Sequence, residues 1–143
     1  MNISPGEHPG QRDSCHHSAA CPLEHRPESS RAARGFTRAT LSVWNVDETT
    51  VDNALLVVSE LVTNAIVHAL PPLTLHLSQP AADVVRAEVT DGGPNRTQRS
   101  SLSARRSPEE CGRGNGIITH LTATHGCRAE DGGFSRWAEI GAS

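Results

Sequence analysis

Three polar residues lie at helical spacing in a segment that is otherwise apolar. Glu60, Asn64 and His68 occupy positions i, i+4 and i+8 of the segment SELVTNAIVHA, so a helix would place them along one stripe. A carboxylate in apolar surroundings needs a partner, because an unpaired buried charge is costly. The carboxylate could accept a proton, and the Asn64 amide oxygen could bind a hard cation such as Mg²⁺. The stripe therefore predicts a site for a metal–phosphate ligand, and a buried salt bridge from Glu60 to an arginine of the preceding helix is the alternative.

A second candidate, Asp91, follows an alternating segment. Val85, Ala87 and Val89 alternate with polar residues, which predicts a strand that buries these three side chains, and Asp91 continues their parity. The two glycines that follow would let the backbone turn sharply and let a ligand approach. An inward carboxylate beside them is suited to accept a hydrogen bond from an exocyclic amine, such as that of adenine. The alternative is an ordinary Asp-Gly turn.

A third candidate is the glycine-rich segment CGRGNGI, which precedes a predicted short helix over residues 116–125. The backbone N–H groups of such a loop and the positive end of a helix dipole hold phosphates, and an arginine adds a fixed charge. No GK[ST] follows, so the segment is not a Walker A loop, and it lacks the strand and close turn of a dinucleotide fingerprint. A flexible linker is the alternative. The candidate residues are Gly112, Arg113, Gly114, Asn115 and Gly116.

Hydrophobic periodicity predicts the elements that would position these candidates. The spacing predicts helices over 29–44, capped by Ser29 or Ser30, and over 48–69, capped by Asp47. Alternation predicts strands over 73–78 and 85–90, and two more between 127 and 140 joined at Asp131-Gly132-Gly133. The positions expected to face the core are Ala32, Ala33, Phe36, Ala39, Thr40 and Val43 in the first helix, and Val51, Ala54, Leu55, Val58, Val62, Ala65 and Ala69 in the second.

The order of elements predicts an α+β fold, a two-layer sandwich in which helices cover one face of an antiparallel or mixed sheet. The second helix is apolar over most of its circumference, including Leu56, Val57 and Val67, which predicts that it is buried. The length of 143 residues suits one domain. Residues 27–143 are expected to form it. Residues 1–26 are expected to be a poorly ordered extension, in which 15–26 could hold a short edge strand.

Composition and charge exclude several classes of function. The net charge of −3 gives no general attraction to nucleic acid or to an anionic membrane. No apolar run approaches the roughly 20 residues that span a bilayer, and the N-terminus lacks an apolar signal core, so the expected location is the cytoplasm, with free thiols. One cluster, made of Cys15, His16, His17, Cys21 and His25, could suggest a metal site, but its spacing fits no zinc pattern and a polar tail is the preferred interpretation.

Taken in this order, the three candidate segments resemble the nucleotide site of the GHKL ATPase superfamily. ELVTNAIVHA is similar to its N-box, DGGP to its Asp-x-Gly box and GRGNGI to the glycine-rich box that follows its ATP lid. The likeness extends over about residues 27–140 and is strongest to the anti-sigma-factor serine/threonine kinases, whose closing strand is similar to FSRWAEI. The resemblance implies the histidine-kinase-like (Bergerat) ATPase fold, with ATP and Mg²⁺ as cofactors.

The resemblance also implies a role for each matching residue. Glu60 would be the general base and Asn64 would hold Mg²⁺. Asp91 would bind the adenine amino group, with Gly93 allowing close packing. Ser135 would match a Thr or Ser that the family's closing strand carries near the site. The remaining nucleotide contacts would come from His68, Gly112, Arg113, Gly114, Asn115 and Gly116.

The implied function is that of a protein kinase that phosphorylates a STAS-type anti-anti-sigma protein and binds a sigma factor. Asn115 stands where the family usually has an apolar residue, and the Arg- and Ser-rich lid, residues 95–111, is unlike the family's lids. These departures support a second hypothesis, an ATP-binding module without turnover that regulates a partner by contact. The resemblance further implies a homodimer, and no direct partner among nucleic acids or membranes is expected.

Overall fold

The computed structural model describes residues 17–94, 124–130 and 132–141, which form two helices and one five-stranded sheet. Every neighbouring pair of strands in the order β1-β2-β3-β5-β4 is antiparallel. Both helices lie on the same face of this sheet, so the predicted α+β sandwich is confirmed. The elements are β1 (Ser18–Leu23), α1 (Ser29–Val43), α2 (Glu48–His68), β2 (Leu73–Ala81), β3 (Val84–Asp91), β4 (Thr124–Glu130) and β5 (Gly133–Gly141).

Helix α2 begins at a side-chain cap. The Oδ2 atom of Asp47 accepts a hydrogen bond from the backbone N–H of Thr50 at 3.1 Å, and Oδ1 accepts one from the Thr50 hydroxyl at 2.8 Å. These bonds satisfy one of the N–H groups that a helix start leaves without an internal partner, and they lower the pKa of Asp47. The predicted cap is therefore confirmed. The helix ends at His68, shortly before Pro71 and Pro72, as proline requires.

The core lies between α2 and the sheet. The three alternating leucines of β2 and the three alternating apolar residues of β3 are buried, as predicted, and Ala138 and Ile140 of β5 join them. All seven positions predicted to face the core from α2 are buried as well. On the opposite side of this helix Val57 is buried, but Leu56 is 52% exposed and Val67 is 44% exposed. The expectation that this side would also be buried is wrong for those two residues.

Helix α1 presents only part of the predicted face to the core: Ala33 is buried and Phe36 packs against the core, whereas Ala32 and Ala39 are exposed. Its buried residues are Ser29, Ala33, Thr37 and Leu41, which follow a four-residue spacing, whereas Val43 is 78% exposed. The Thr37 hydroxyl donates to the Ala33 carbonyl at 2.8 Å, so it is buried without an unsatisfied group. The predicted cap by Ser29 or Ser30 is wrong, because the N-cap is Glu28 and it makes no side-chain cap hydrogen bond. The Ser29 hydroxyl donates instead to the carbonyl of Glu24 at 2.6 Å.

The folded unit begins earlier than residue 27. Strand β1 pairs with β2 from Ser18↔Ser78 to Leu23↔Leu73, so the predicted edge strand is confirmed. The assignment of residues 17–26 to a poorly ordered extension is therefore wrong. Residues 18–23 pair with β2, the His17 carbonyl accepts from the Gln79 N–H, and the Arg26 N–H donates to the Glu24 carbonyl in the turn that follows. Residues 1–16 lie outside the described residues.

By length and composition alone, α2 could cross a membrane, which the sequence analysis did not anticipate. It has 21 residues and a mean hydropathy of 1.4. A core helix passes the same test, and most of the apolar residues of α2 are buried in the core. The burial of one side of the helix inside the fold accounts for its hydropathy.

The C-terminal strand pair follows the prediction in type and extends it at both ends. The predicted short helix lies outside the described residues except for Thr124 and His125, which instead begin β4. Cys127 of β4 is disulfide-bonded, so the expectation of free thiols is wrong for this residue, whereas Cys21 is a free thiol.

Two leucines of α2 allow a matched test of this packing. We expect Leu61→Ala to lower the free energy of unfolding by about 2–5 kcal/mol, because the side chain is 2% exposed and its removal leaves a cavity. Leu56→Ala removes the same atoms from an exposed position and should change that free energy by about 0.5 kcal/mol or less. Urea unfolding followed by circular dichroism measures both. Equal losses would show that α2 is oriented differently.

Candidate functional site

The polar stripe of α2 lies at the border between the buried and exposed sides of the helix. Glu60 and Asn64 are partly buried, and His68 in the last turn is exposed. The arginines of α1 are exposed, and the ion pairs formed within residues 17–94, 124–130 and 132–141 do not include Glu60. The alternative of a salt bridge between Glu60 and α1 is therefore not supported. Among the described residues, the Glu60 carboxylate therefore has no ion-pair partner.

A backbone bridge joins the end of α2 to the turn after β3. The Leu70 N–H donates to the Gly93 carbonyl at 2.8 Å, and the Gly92 N–H donates to the Leu70 carbonyl at 2.7 Å. Next to these bonds, Ala69 and Pro94 pair as an isolated antiparallel bridge. The structure thus fixes the end of α2 and the Asp91 turn to each other, although Leu70 and Gly92 are 22 positions apart in the sequence (92 − 70).

Two glycines make this turn, and each does so for a different reason. A Cβ added at Gly92 would collide with the backbone carbonyl oxygen of Pro71, so only glycine permits the close approach. Gly93 has φ +105°, a backbone conformation that side chains disfavour. The resemblance assigned close packing to Gly93. Within the protein, the close backbone approach is at Gly92 and the positive φ is at Gly93, and close packing of a base on Gly93 stays a prediction.

Asp91 lies at the end of β3, on the helix-facing side that parity predicted. Its Oδ1 atom accepts a hydrogen bond from the Gly93 N–H at 2.7 Å. Burial raises the pKa of Asp91 to about 6, and the Gly93 N–H, Arg136 and His25 oppose this rise in that order. The carboxylate is therefore short of stabilising donors, and a ligand that supplies an N–H would satisfy it.

Ser135 lies on the other face of the sheet. In the pairing of β3 with β5 it stands opposite Thr90, and its hydroxyl donates a hydrogen bond to Glu88. Glu88 is also 3.7 Å from Arg128 and 3.9 Å from Arg86, so these side chains form a charged network away from the helices. The structure does not bring the Ser135 side chain to the face that carries Asp91.

Three residues near Asp91 were missed by the sequence analysis. Phe134 stands opposite Asp91 in the sheet, and Arg136 stands opposite Val89, so both lie on the helix-facing side. The alternation of FSRWAEI could have shown this, because the buried residues Ala138 and Ile140 have the same parity. His25, whose Nε2 lies 2.7 Å from the Ala69 carbonyl oxygen, had no sequence signal.

The sequence profile of the histidine kinase-like ATPase domain matches residues 23–135, which include the α2 stripe, the Asp91 turn and the glycine-rich segment. The chain belongs to this family of ATPase domains. No functionally curated protein matches the sequence.

The ATPase domain is also similar to a solved structure, the RsbU and RsbW domains of Rv1364c from Mycobacterium tuberculosis. The TM-score is 0.65 and the sequence identity is 17%, over 87% of this chain and 32% of that chain. At this identity the likeness shows the fold alone. This chain spans about a third of the length of the one it matches.

The phosphate-binding part of the ATPase domain stays a prediction. Gly112, Arg113, Gly114, Asn115 and Gly116 lie outside the described residues. Within the described part of the chain, no group of three His, Cys, Asp or Glu residues could hold a metal ion.

The metal-site alternative near the N-terminus is not supported by the residues that can be placed. His17, which precedes β1, stacks on Trp44 with ring centroids 5.1 Å apart. His25, which follows β1, is hydrogen-bonded to the Ala69 carbonyl. The two histidines therefore have separate structural partners. Cys15 and His16 lie outside the described residues.

The close approach at Gly92 can be tested by adding one methyl group. We expect Gly92→Ala to lower the free energy of unfolding by about 1–3 kcal/mol, because its Cβ would force the Pro71 carbonyl to move. Gly35→Ala in α1 is the matched control. No atom lies within 4 Å of its added Cβ, and the change should raise stability by up to about 1 kcal/mol. Thermal unfolding of both variants measures the difference, and a neutral Gly92→Ala would contradict the described turn.

The raised pKa of Asp91 predicts how stability depends on pH. Between the ordinary pKa of 3.8 and about 6, the folded protein binds more protons than the unfolded chain at this group. The contribution of Asp91 to the free energy of unfolding is therefore fully present below the ordinary pKa and is lost as the pH rises through about 6. Asp91→Asn should remove this part of the decline, whereas Asp52→Asn at an exposed position of α2 should leave it in place. Urea unfolding across this pH range measures the slope, and an unchanged slope in Asp91→Asn would refute the assignment.

Proposed function

We propose that this domain binds Mg·ATP between α2 and the helix-facing side of the sheet and transfers its γ-phosphoryl group to a protein hydroxyl. The observation that carries the proposal is the backbone bridge between Leu70 and the two glycines after Asp91. It holds an acceptor for the base at one end of α2. Toward its N-terminus, the helix then presents the Asn64 amide and, one turn further, the Glu60 carboxylate.

The positions along α2 follow the order of the parts of ATP. With a rise of 1.5 Å per residue, Asn64 lies about 7 Å and Glu60 about 13 Å along the helix from Ala69. Asp91 would accept a hydrogen bond from the exocyclic amine of the base. Asn64 would contribute its amide oxygen to Mg²⁺, which neutralises phosphate charge when bound. Glu60 would then lie nearest to the attacking hydroxyl.

The described residues fit these groups chemically. Asn64 offers a hard oxygen donor, as Mg²⁺ requires. Glu60 forms none of the described ion pairs, and Asp91 has one backbone donor where a buried carboxylate could accept several. In the transfer, Glu60 would accept the proton of the attacking hydroxyl while the oxygen of that hydroxyl bonds to the γ-phosphorus. The bond between that phosphorus and the bridging oxygen breaks, and ADP leaves.

The proposed protein substrate is a Ser or Thr of a STAS-type partner, with a sigma factor as the second partner. Support comes from the resemblance of the three motifs to anti-sigma-factor kinases and from the fold shared with an RsbW domain. We further propose that the protein acts in the cytoplasm and as a homodimer.

Calorimetric titration with ATP, with and without Mg²⁺, tests the nucleotide site. We expect Mg²⁺ to tighten binding and Asn64→Ala to weaken Mg·ATP binding by about tenfold, which corresponds to about 1.4 kcal/mol. Thr63→Ala, the adjacent exposed position, is the control and should bind as the wild type does. Absence of ATP binding by the wild type would refute the proposal.

Phosphoryl transfer is tested with labelled ATP and candidate STAS proteins. We expect Glu60→Gln to keep nucleotide affinity within about threefold and to lower transfer by about 10²–10⁴-fold, because it removes the general base. A wild-type protein that binds ATP and transfers nothing to any candidate would favour the non-catalytic module. Transfer that is unaffected by Glu60→Gln would exclude Glu60 as the base.

A further inference from the structure

The pairing of β3 with β5 places an arginine beside the base-binding carboxylate. Asp91 stands opposite Phe134, and Val89 stands opposite Arg136, so Asp91 and Arg136 are diagonal neighbours on the helix-facing side. Diagonal neighbours on one face of an antiparallel pair are about 7–8 Å apart at the backbone, which a long side chain can span. The sheet register alone therefore brings the guanidinium within reach of the carboxylate.

The side chain of Arg136 is directed toward this end of the strand. Its Cζ atom lies 5.8 Å from the centroid of the Phe134 ring, and Phe134 is the residue opposite Asp91. Arg136 is partly buried, so its charge is less screened by water than that of an exposed arginine. In agreement with this placement, the Arg136 charge lowers the pKa of Asp91 against the larger effect of burial.

The other ionisable groups around Asp91 can be named element by element. The loop after β1 supplies His25, which also favours the ionised carboxylate but has a smaller effect on its pKa than Arg136 has. Helix α2 supplies His68 in its last turn, and that side chain is exposed. Strand β4 supplies Cys127 opposite Arg136, and as a disulfide it does not titrate. Among the described residues, Arg136 is thus the cation with the largest effect on the carboxylate.

On the basis of the proposed function, we propose that Arg136 is a positioning residue of the nucleotide site, which holds the Asp91 carboxylate as a charged acceptor for the exocyclic amino group of a 6-aminopurine. A protonated carboxyl group keeps only a neutral carbonyl oxygen as acceptor, and a hydrogen bond to an ionised acceptor is roughly twice as strong. The preference for an aminopurine would then depend on a residue that does not itself have to touch the base.

The first test needs no nucleotide. The carboxyl ¹³C resonance of Asp91, assigned by its loss in Asp91→Asn, is titrated in the wild type, Arg136→Met, Arg136→Lys and Arg128→Met. Removing a nearby opposite charge raises the pKa of a carboxyl group, so we expect the midpoint in Arg136→Met to rise by about one pH unit. Arg136→Lys should restore most of the shift. Arg128→Met, which removes an equal charge from the outer face, should leave the midpoint unchanged. An unchanged midpoint in Arg136→Met would overturn the inference.

The second test compares ATP with purine riboside triphosphate, which lacks the amino group but has the same phosphates. With a midpoint raised by about one pH unit, Arg136→Met should bind ATP about fivefold more weakly than the wild type at about pH 6 and within about twofold at about pH 8. The affinity for the analogue should change by less than about twofold at either pH. Equal losses for both nucleotides at both pH values would indicate a structural role and would overturn the inference.

The two tests separate this inference from the proposed function. A wild type that binds no nucleotide would refute the proposed function, whereas the resonance titration would still decide whether Arg136 controls the charge of Asp91. If the wild type binds ATP but the Asp91 midpoint is the same in Arg136→Met as in the wild type, the proposed nucleotide site stands and only the inference is refuted.

Discussion

The backbone bridge between the end of α2 and the turn after β3 is the constraint on which the candidate site depends. A helix is rigid along its length, so fixing its last residues against Gly92 and Gly93 also fixes the direction in which Glu60 and Asn64 point. The hydrogen bond from His25 to the Ala69 carbonyl adds a tie from the first loop to the same place. Side chains that are distant in sequence can therefore be held beside one ligand by backbone hydrogen bonds.

Ionisation of Asp91 in this region is unfavourable in free energy, and a bound ligand can reduce that penalty. Burial of Asp91 opposes its ionisation, and one backbone N–H with two nearby basic side chains does not fully offset that effect. A fold selected for stability alone would favour an amide or an apolar residue at this position. The carboxylate fits a surface that is completed by a donor from outside, which is how a binding site differs from a core.

Much of the fold follows from the sequence because its patterns are strong. Val85 and its alternating neighbours, and the broad apolar face of α2, can face only the core. The buried face of α1 was misjudged because Thr37 is a polar residue, and a hydrophobic pattern does not count a hydroxyl that bonds back to its own helix. Ser135 and Gly93 were assigned through family motifs, which give residue types but not sheet register or dihedral angles. The register places Ser135 on the outer face and brings Arg136 to Asp91.

Strand β1 is short and carries Pro22, although it lies at the edge of the sheet. Its partner β2 is longer and is lined by three buried leucines. If residues 17–26 were absent, β2 would expose a row of unpaired N–H and C=O groups beside an apolar surface, which is the template on which chains aggregate. A proline-bearing strand offers such a template poorly, because proline has no N–H to donate. Strand β1 therefore makes this edge of the sheet a poor template for the strands of other molecules.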